Sequence, residues 1–235
     1  MTDHVRLLRG LAACAAIVAG FSRAPQESWN SWYISTAGSD TLSIERVERT
    51  PKVVSGVWVS YRRAGERDVL RHEYTIRLQD DGRPSDLTLR LRRPGGEVLR
   101  TYQARFTGDS VAISFAPDSL RPVQLAARKV LPLLGRSMGL AEVAISAVVR
   151  AKQAPDSGLM SLLPITGPFL VQQTPYTFSQ NKSFRIGPAG SPVFHLGASG
   201  AIDSLVTYEG VVAVRRVEPF DIEAVAASAA KRPGQ

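Results

Sequence analysis

The chain of 235 residues is 44% hydrophobic and 21% charged, a balance that excludes a largely disordered polymer and suits one large β-domain. Its net charge of +8 is spread in small arginine clusters at 62–63, 90–93 and 215–216, each beside carboxylates such as Glu66, Asp86, Glu97 and Glu218. That is the pattern of a solvated face, and no nucleic-acid-binding motif accompanies it. A lone cysteine, Cys14, excludes an internal disulfide and any cysteine-based metal site.

In chain order, residues 1–24 read as an export signal. Arg6 and Arg9 precede the apolar run 11–21, which gives way to small and polar residues. The run is about half the length that spans a bilayer as a helix, so peripheral or no membrane association is expected. Cleavage fits after Gly20 or after Ala24, although Pro25 disfavours the second site. Cys14 closes LAAC, a match to the lipobox of bacterial lipoproteins, so a lipid anchor at Cys14 stands as the alternative to a plain periplasmic or secreted protein.

Residues 39–115 predict a run of antiparallel strands. In 69–79, Leu70, His72, Tyr74, Ile76 and Leu78 alternate with Arg71, Glu73, Thr75 and Arg77, the signature of a strand buried on one side. The segment 52–63 has apolar residues on both faces, Val53, Val57, Val59 and Tyr61 against Val54 and Trp58, so both are expected to be partly covered. Strands at 86–92, 97–106 and 109–115 follow, and Ala64-Gly65, Asp81-Gly82, Pro94-Gly95-Gly96 and Thr107-Gly108 suit hairpin turns. Trp29, Trp32 and Tyr33 anchor a first strand, or else form an exposed platform for sugar stacking.

From 117 to 167 the period changes. Prolines 117, 122 and 132 exclude a continuous central strand, LPLLG at 131–135 reads as irregular apolar chain, and GLMSLLP at 158–164 as a short apolar segment. Between them, 137–153 predicts a helix. Glu142, Ser146, Arg150 and Gln153 fall on one stripe expected to face water, and Leu140, Val143, Ala144, Ala147, Val148 and Ala151 cover the opposite side. Strands resume at 168–178, with Pro175 marking an edge or bulge, then near 193–196, 201–208 and 211–218. Residues 221–235 predict a short helical tail with a frayed end.

The expected fold is therefore mainly β (α+β): a strongly curved antiparallel sheet or half-barrel of about nine to eleven strands with one central helix on its concave face. Residues 25–220 form one domain, the helix is an insert within it, and 221–235 are a tail. In one reading the helix completes a filled core. In the other it is a lid over an apolar cavity lined by Leu140, Val143, Ala144, Ala147, Val148, Met160, Leu163, His72 and Tyr74.

A signal, a meander with Arg-rich outer strands, an Ala/Leu helix followed by LLP at 162–164 and a closing VAVRRVEP at 212–219 resemble exported bacterial half-barrel domains. These include the leader domain that precedes some secreted amidohydrolases and, more distantly, the carriers and chaperones of lipoproteins. The resemblance implies envelope residence and binding of an apolar ligand or a protein. It does not imply amidohydrolase activity, because the metal-binding domain of those enzymes has no counterpart in this sequence.

The residues themselves give no catalytic set. His4, His72 and His195 are isolated, without HxH, HxxxH or HExxH spacing, so neither a metal nor another cofactor is expected. His72 on an apolar face reads as a core histidine. Ser179 and Lys182 match SxxK, but the helix, SDN and KTG that accompany it in serine acyl enzymes are missing. Asn181 to Ser183 is a sequon that a bacterial-type signal leaves without meaning. The expected function is thus non-enzymatic: binding of a lipid or other apolar ligand on the concave side, or an accessory role as interaction domain for a separately encoded enzyme of the envelope.

Overall fold

The computed structural model describes residues 28–61, 69–93, 95–116, 123–126, 130–132, 137–151, 159–163, 170–178, 182–187, 191–197, 201–206 and 213–231. The predicted export signal, Cys14, the Ala64-Gly65 turn, Gln153, Ser179 and Asn181 lie outside these residues, as does the side chain of Arg150.

Strands β1 (Trp29–Ala37), β2 (Asp40–Arg49), β3 (Val53–Ser60), β4 (Leu70–Leu78), β5 (Pro84–Arg92), β6 (Val98–Phe106), β7 (Ser110–Ala116) and β8 (Val123–Ala126) pair antiparallel in chain order. The tight β1–β2 turn places Gly38 at a φ of +60°, a left-handed conformation that a side chain would disfavour. A second arm consists of β12 (Tyr176–Phe178), β13 (Ser183–Ile186), β14 (Val193–Leu196), β15 (Ile202–Val206) and β16 (Ala213–Val217). It joins the first where β16 lies beside β1, Trp32 opposite Val217 and Thr36 opposite Ala213. The result is one open sheet of 13 strands, wider than the sequence predicted, with β8 and β12 at its edges.

The sheet must curl. Laid flat, 13 strands would extend about 58 Å at the usual spacing of neighbours. Yet Leu87, Ile113, Phe184, Phe194 and Leu205, drawn from both arms, belong to one continuous core together with Leu140, Val143 and Ala144. Only a sheet wrapped around that core brings both arms to it.

Inside the curl lies α1 (Met138–Ala151), the helix expected at 137–153. Its neighbours explain why a β-chain needs it. Strand β9 (Val130–Pro132) pairs parallel with β10 (Leu159–Leu163), which pairs antiparallel with β11 (Leu170–Thr174) in a separate three-stranded sheet. A parallel pair cannot be closed by a tight turn and requires a crossover, here α1. The LPLLG and GLMSLLP segments, expected as irregular or unassigned apolar chain, thus contribute two short strands. Pro175, between β11 and β12, marks the point where the chain leaves the small sheet for the large one.

Polar residues alternate along the outer side of β4 to β7, as predicted. Over β2 to β4 the outer side is covered instead by α2 (Ile222–Lys231), whose Ile222 joins Ile44, Val59 and Val69 in a second, smaller cluster flanked by Val57 and Tyr61. Asp221 caps α2, its Oδ1 accepting from the backbone N–H of Glu223 at 2.9 Å and Ala224 at 3.1 Å.

Candidate functional site

Ionisable side chains converge out of water where α1 begins. The register aligns Tyr33 of β1, Glu45 of β2, Trp58 of β3 and His72 of β4 in one row across the concave face, with Arg216 of β16 next to Tyr33. A neighbouring row carries Gly56 and Tyr74, and the following one Arg49. Along β2 the inward residues are Ser43, Glu45, Val47 and Arg49, so this strand turns a largely polar face to the core.

Glu45 lies beneath the first turn of α1 and is fully enclosed. Its carboxylate accepts from Tyr74 Oη at 2.6 Å, Ser137 Oγ at 2.7 Å, the Met138 N–H at 2.7 Å and the Gly139 N–H at 3.4 Å. A sheet carboxylate thereby satisfies two of the backbone donors that a helix leaves open at its start, next to the positive end of the helix dipole. Ser137 completes the cap, its Oγ accepting from Leu140 N at 3.4 Å. The Tyr74 ring fits between Gly56 and Gly139, at both of which a Cβ would overlap it. Burial raises the Glu45 carboxyl above its ordinary range, while these donors pull it back down.

One turn further along, Glu142 faces Arg49, with Oε1 at 3.4 Å from Nη1 and both side chains no more than 2% exposed. Its other oxygen, Oε2, has no hydrogen-bond partner among the described residues. Desolvation pushes the carboxyl up to about 8; Arg49 and Arg216 oppose the shift and Glu45 adds to it. The expectation that Glu142 lies on a wet stripe is overturned, because the helix is enclosed on that side too; of the stripe, only Ser146 is described as partly exposed.

Tyr33 donates to the Ile202 carbonyl at 2.9 Å, and its phenol is raised by burial and by the nearby Glu142 and Glu45. His72 stacks on Trp58 with ring centroids 4.6 Å apart, and burial pushes its imidazole down to about 4, so it is neutral at physiological pH. It is 5% exposed, as expected for a core histidine.

The predicted lid residues share this environment. Leu140, Val143, Ala144, Ala147, Val148 and Tyr74 are all buried in the one core. Met160 and Leu163 lie on β10 in the three-stranded sheet, and their side chains fall outside the described residues. Sequence reasoning missed Glu45, Arg49, Ser137 and Glu142. The available signals were a lone carboxylate in an otherwise apolar stretch of helix, and Glu45 and Arg49 four apart on the same strand face.

Chemically, the cluster is a closed structural network. Glu45 already accepts from four donors, and Glu142 is sealed from solvent, so neither reaches an outside reactant in this conformation. Among the described residues no three His, Cys, Asp or Glu side chains converge as metal ligands, and no helix is long and apolar enough to cross a membrane.

No family model matches the chain, and no curated protein matches it. Solved structures similar to the chain include the following two. A DUF1089 family protein from Pseudomonas aeruginosa superposes with a TM-score of 0.53 at 11% identity, over 70% of this chain and 89% of that one. The likeness is one of fold. A beta-barrel-like protein of the domain of unknown function DUF1849 from Brucella abortus aligns over 83% of this chain and 98% of that one, at a TM-score of 0.46 and 11% identity.

Proposed function

We propose that the protein is a non-enzymatic, exported accessory module of the bacterial envelope, which acts by binding another protein and has a filled core beneath α1. The observation that carries this reading is the surface of the helix residues themselves. A side chain bordering a void large enough for a ligand keeps surface that a water molecule can touch. Leu140 and Ala144 have 0% and Val143 has 1%. The alternative, a lipid or similar apolar ligand on the concave side, would require α1 to leave the sheet and break the Glu45 cap.

Export rests on Arg6, Arg9 and the apolar run 11–21, with acylation of Cys14 as the alternative way of staying in the envelope. The half-barrel leader domain of secreted amidohydrolases offers the model for a module that supports a separate enzyme. The non-enzymatic reading is supported by the closure of the Glu45 and Glu142 cluster.

Native mass spectrometry of protein purified from envelopes, before and after delipidation, tests the proposal. The expected result is the bare polypeptide mass in both states together with a protein partner that survives delipidation. A lipid adduct of fixed stoichiometry lost on delipidation would overturn it.

A further inference from the structure

The outer face carries a feature that the proposed function does not use. Between α2 and the β4–β5 strands lies a cleft of about 470 Å³, within the range of small-ligand sites. Its apolar part is formed by Val59, Val69 and Ala226, and its polar side by Arg71, Arg92 and Arg93.

Arg71 and Arg92 stand directly opposite each other across β4 and β5, an arrangement of like charges that costs stability unless an anion lies between them. Glu73 is that anion, accepting from Arg71 Nε at 2.8 Å and from Arg92 Nε at 3.0 Å. Arg71 also pairs through Nη1 with Glu223 of α2, and Arg92 Nη1 donates to the Gly96 carbonyl at 3.0 Å. Arg93 Nη1 donates to Glu97 Oε2 at 3.0 Å. A guanidinium has five N–H donors. The hydrogen bonds found among the described residues use two of these donors on Arg71, two on Arg92 and one on Arg93, and Glu73, Glu223 and Glu97 hold the three side chains in place.

We propose that this cleft binds a small amphiphilic anion, a carboxylate or phosphate head on the Arg92–Arg93 side with a short apolar tail over Val59, Val69 and Ala226. Fixed guanidinium forks suit a planar carboxylate or a phosphate, and a floor of Val and Ala suits an alkyl or aryl tail without a polar group. Glu223 competes with the head for Arg71, so the ligand and the carboxylate of α2 oppose each other at this position. The inference is independent of the filled core beneath α1, since the cleft lies on the other side of the sheet.

The test is titration of the full-length protein with octanoate, octyl phosphate and octanol, followed by amide shifts in nitrogen-15 spectra. Octanoate or octyl phosphate is expected to shift residues 69–73, 92–96 and 223–227 saturably, with a dissociation constant of about 1 mM or tighter. The tighter of the two identifies the head group, and octanol should bind at least about tenfold more weakly. Arg93→Gln, at an exposed position that leaves the Glu73 bridge intact, is expected to weaken binding several-fold. Glu223→Gln is expected to strengthen it, a gain that loss of a structural contact would not produce. Absence of saturation by either anion, equal binding of octanol, shifts confined to the concave face, or unchanged affinity in Arg93→Gln would each overturn the proposal.

Discussion

The two helices are both rich in alanine, yet they occupy opposite situations. Within α1 every residue from Met138 to Ile145 is buried, and Ser146 and Val149 are only partly exposed. Within α2, among the described side chains of 222–228, only Ile222 is buried, Ala226 is partly so, and Glu223, Ala224, Val225, Ala227 and Ser228 face solvent. Composition does not set the depth of either. Position in the topology does: α1 is the crossover that a parallel pair demands, and the curled sheet closes around it, whereas α2 follows the last strand and rests on the outer surface.

Breaking the polar anchor of α1 should have the largest effect. Glu142→Ala leaves the buried Arg49 guanidinium without its carboxyl partner, and a loss of about 3–5 kcal/mol is expected in urea unfolding. Replacing both partners, Glu142→Leu with Arg49→Met, should recover most of that loss; a double variant as unstable as the single one would show that the ion pair is not what holds α1.

The same anchor makes stability depend on pH in a definite direction. The Glu142 carboxyl, pushed up to about 8, keeps its proton in the folded chain where the unfolded chain has released it, and Glu45 shifts the same way. The Glu142 contribution is complete below the ordinary value of 4.5 and is lost as pH rises toward 8, and the Glu45 contribution is lost in the same direction. His72, pushed down from 6.5 to about 4, acts oppositely: its contribution is present above 6.5 and is lost as pH falls toward 4. Above the ordinary histidine range only the carboxylates remain, so stability should fall by on the order of 2 kcal/mol between about pH 6.5 and 8. Melting curves of Glu142→Gln should fall much less over that interval.

For α2, Ile222→Ala should cost about 2 kcal/mol, the lower end for a truncated buried isoleucine, and the cost should be local. Limited proteolysis should then cut within 222–231 while the main thermal transition stays in place; a shift of that transition as large as for Glu142→Ala would erase the contrast between the helices. The smallest effect belongs to Glu223→Ala, which removes an ion pair whose carboxylate is 59% exposed. A change of at most about 0.5 kcal/mol is expected, vanishing in high salt.

The sequence was informative wherever a strand has one wet face. Strand β4 shows it: Arg71, Glu73, Thr75 and Arg77 alternate with residues that are buried from His72 to Leu78, so its orientation follows from periodicity alone. Periodicity misleads on β2, where outward Leu42 and Ile44 lie on the side that α2 covers and Glu45 and Arg49 point into the core. It fails in the same way for Glu142, because a polar stripe on a helix marks a difference between faces without saying what lies against it. The candidate cluster also joins residues 93 positions apart, Arg49 to Glu142 and Glu45 to Met138, and no local pattern carries such a pairing. Strands β9 and β10 escaped because runs of three and five mostly apolar residues give no period to read.

The seam between β1 and β16 governs how the chain can reach this structure. Strands β1 to β8 form a meander of neighbours, each able to zip onto the one before it, and β12 to β16 form another. The two arms pair strand to strand only where Trp32 lies opposite Val217, 185 residues away, and closing so long a loop carries a large entropy cost. Until it closes, β1 presents a bare edge, with Tyr33 beside it not yet joined to Ile202. The molecule is in this sense two half-shells joined at one seam, the kind of distant pairing that makes a fold slow to form.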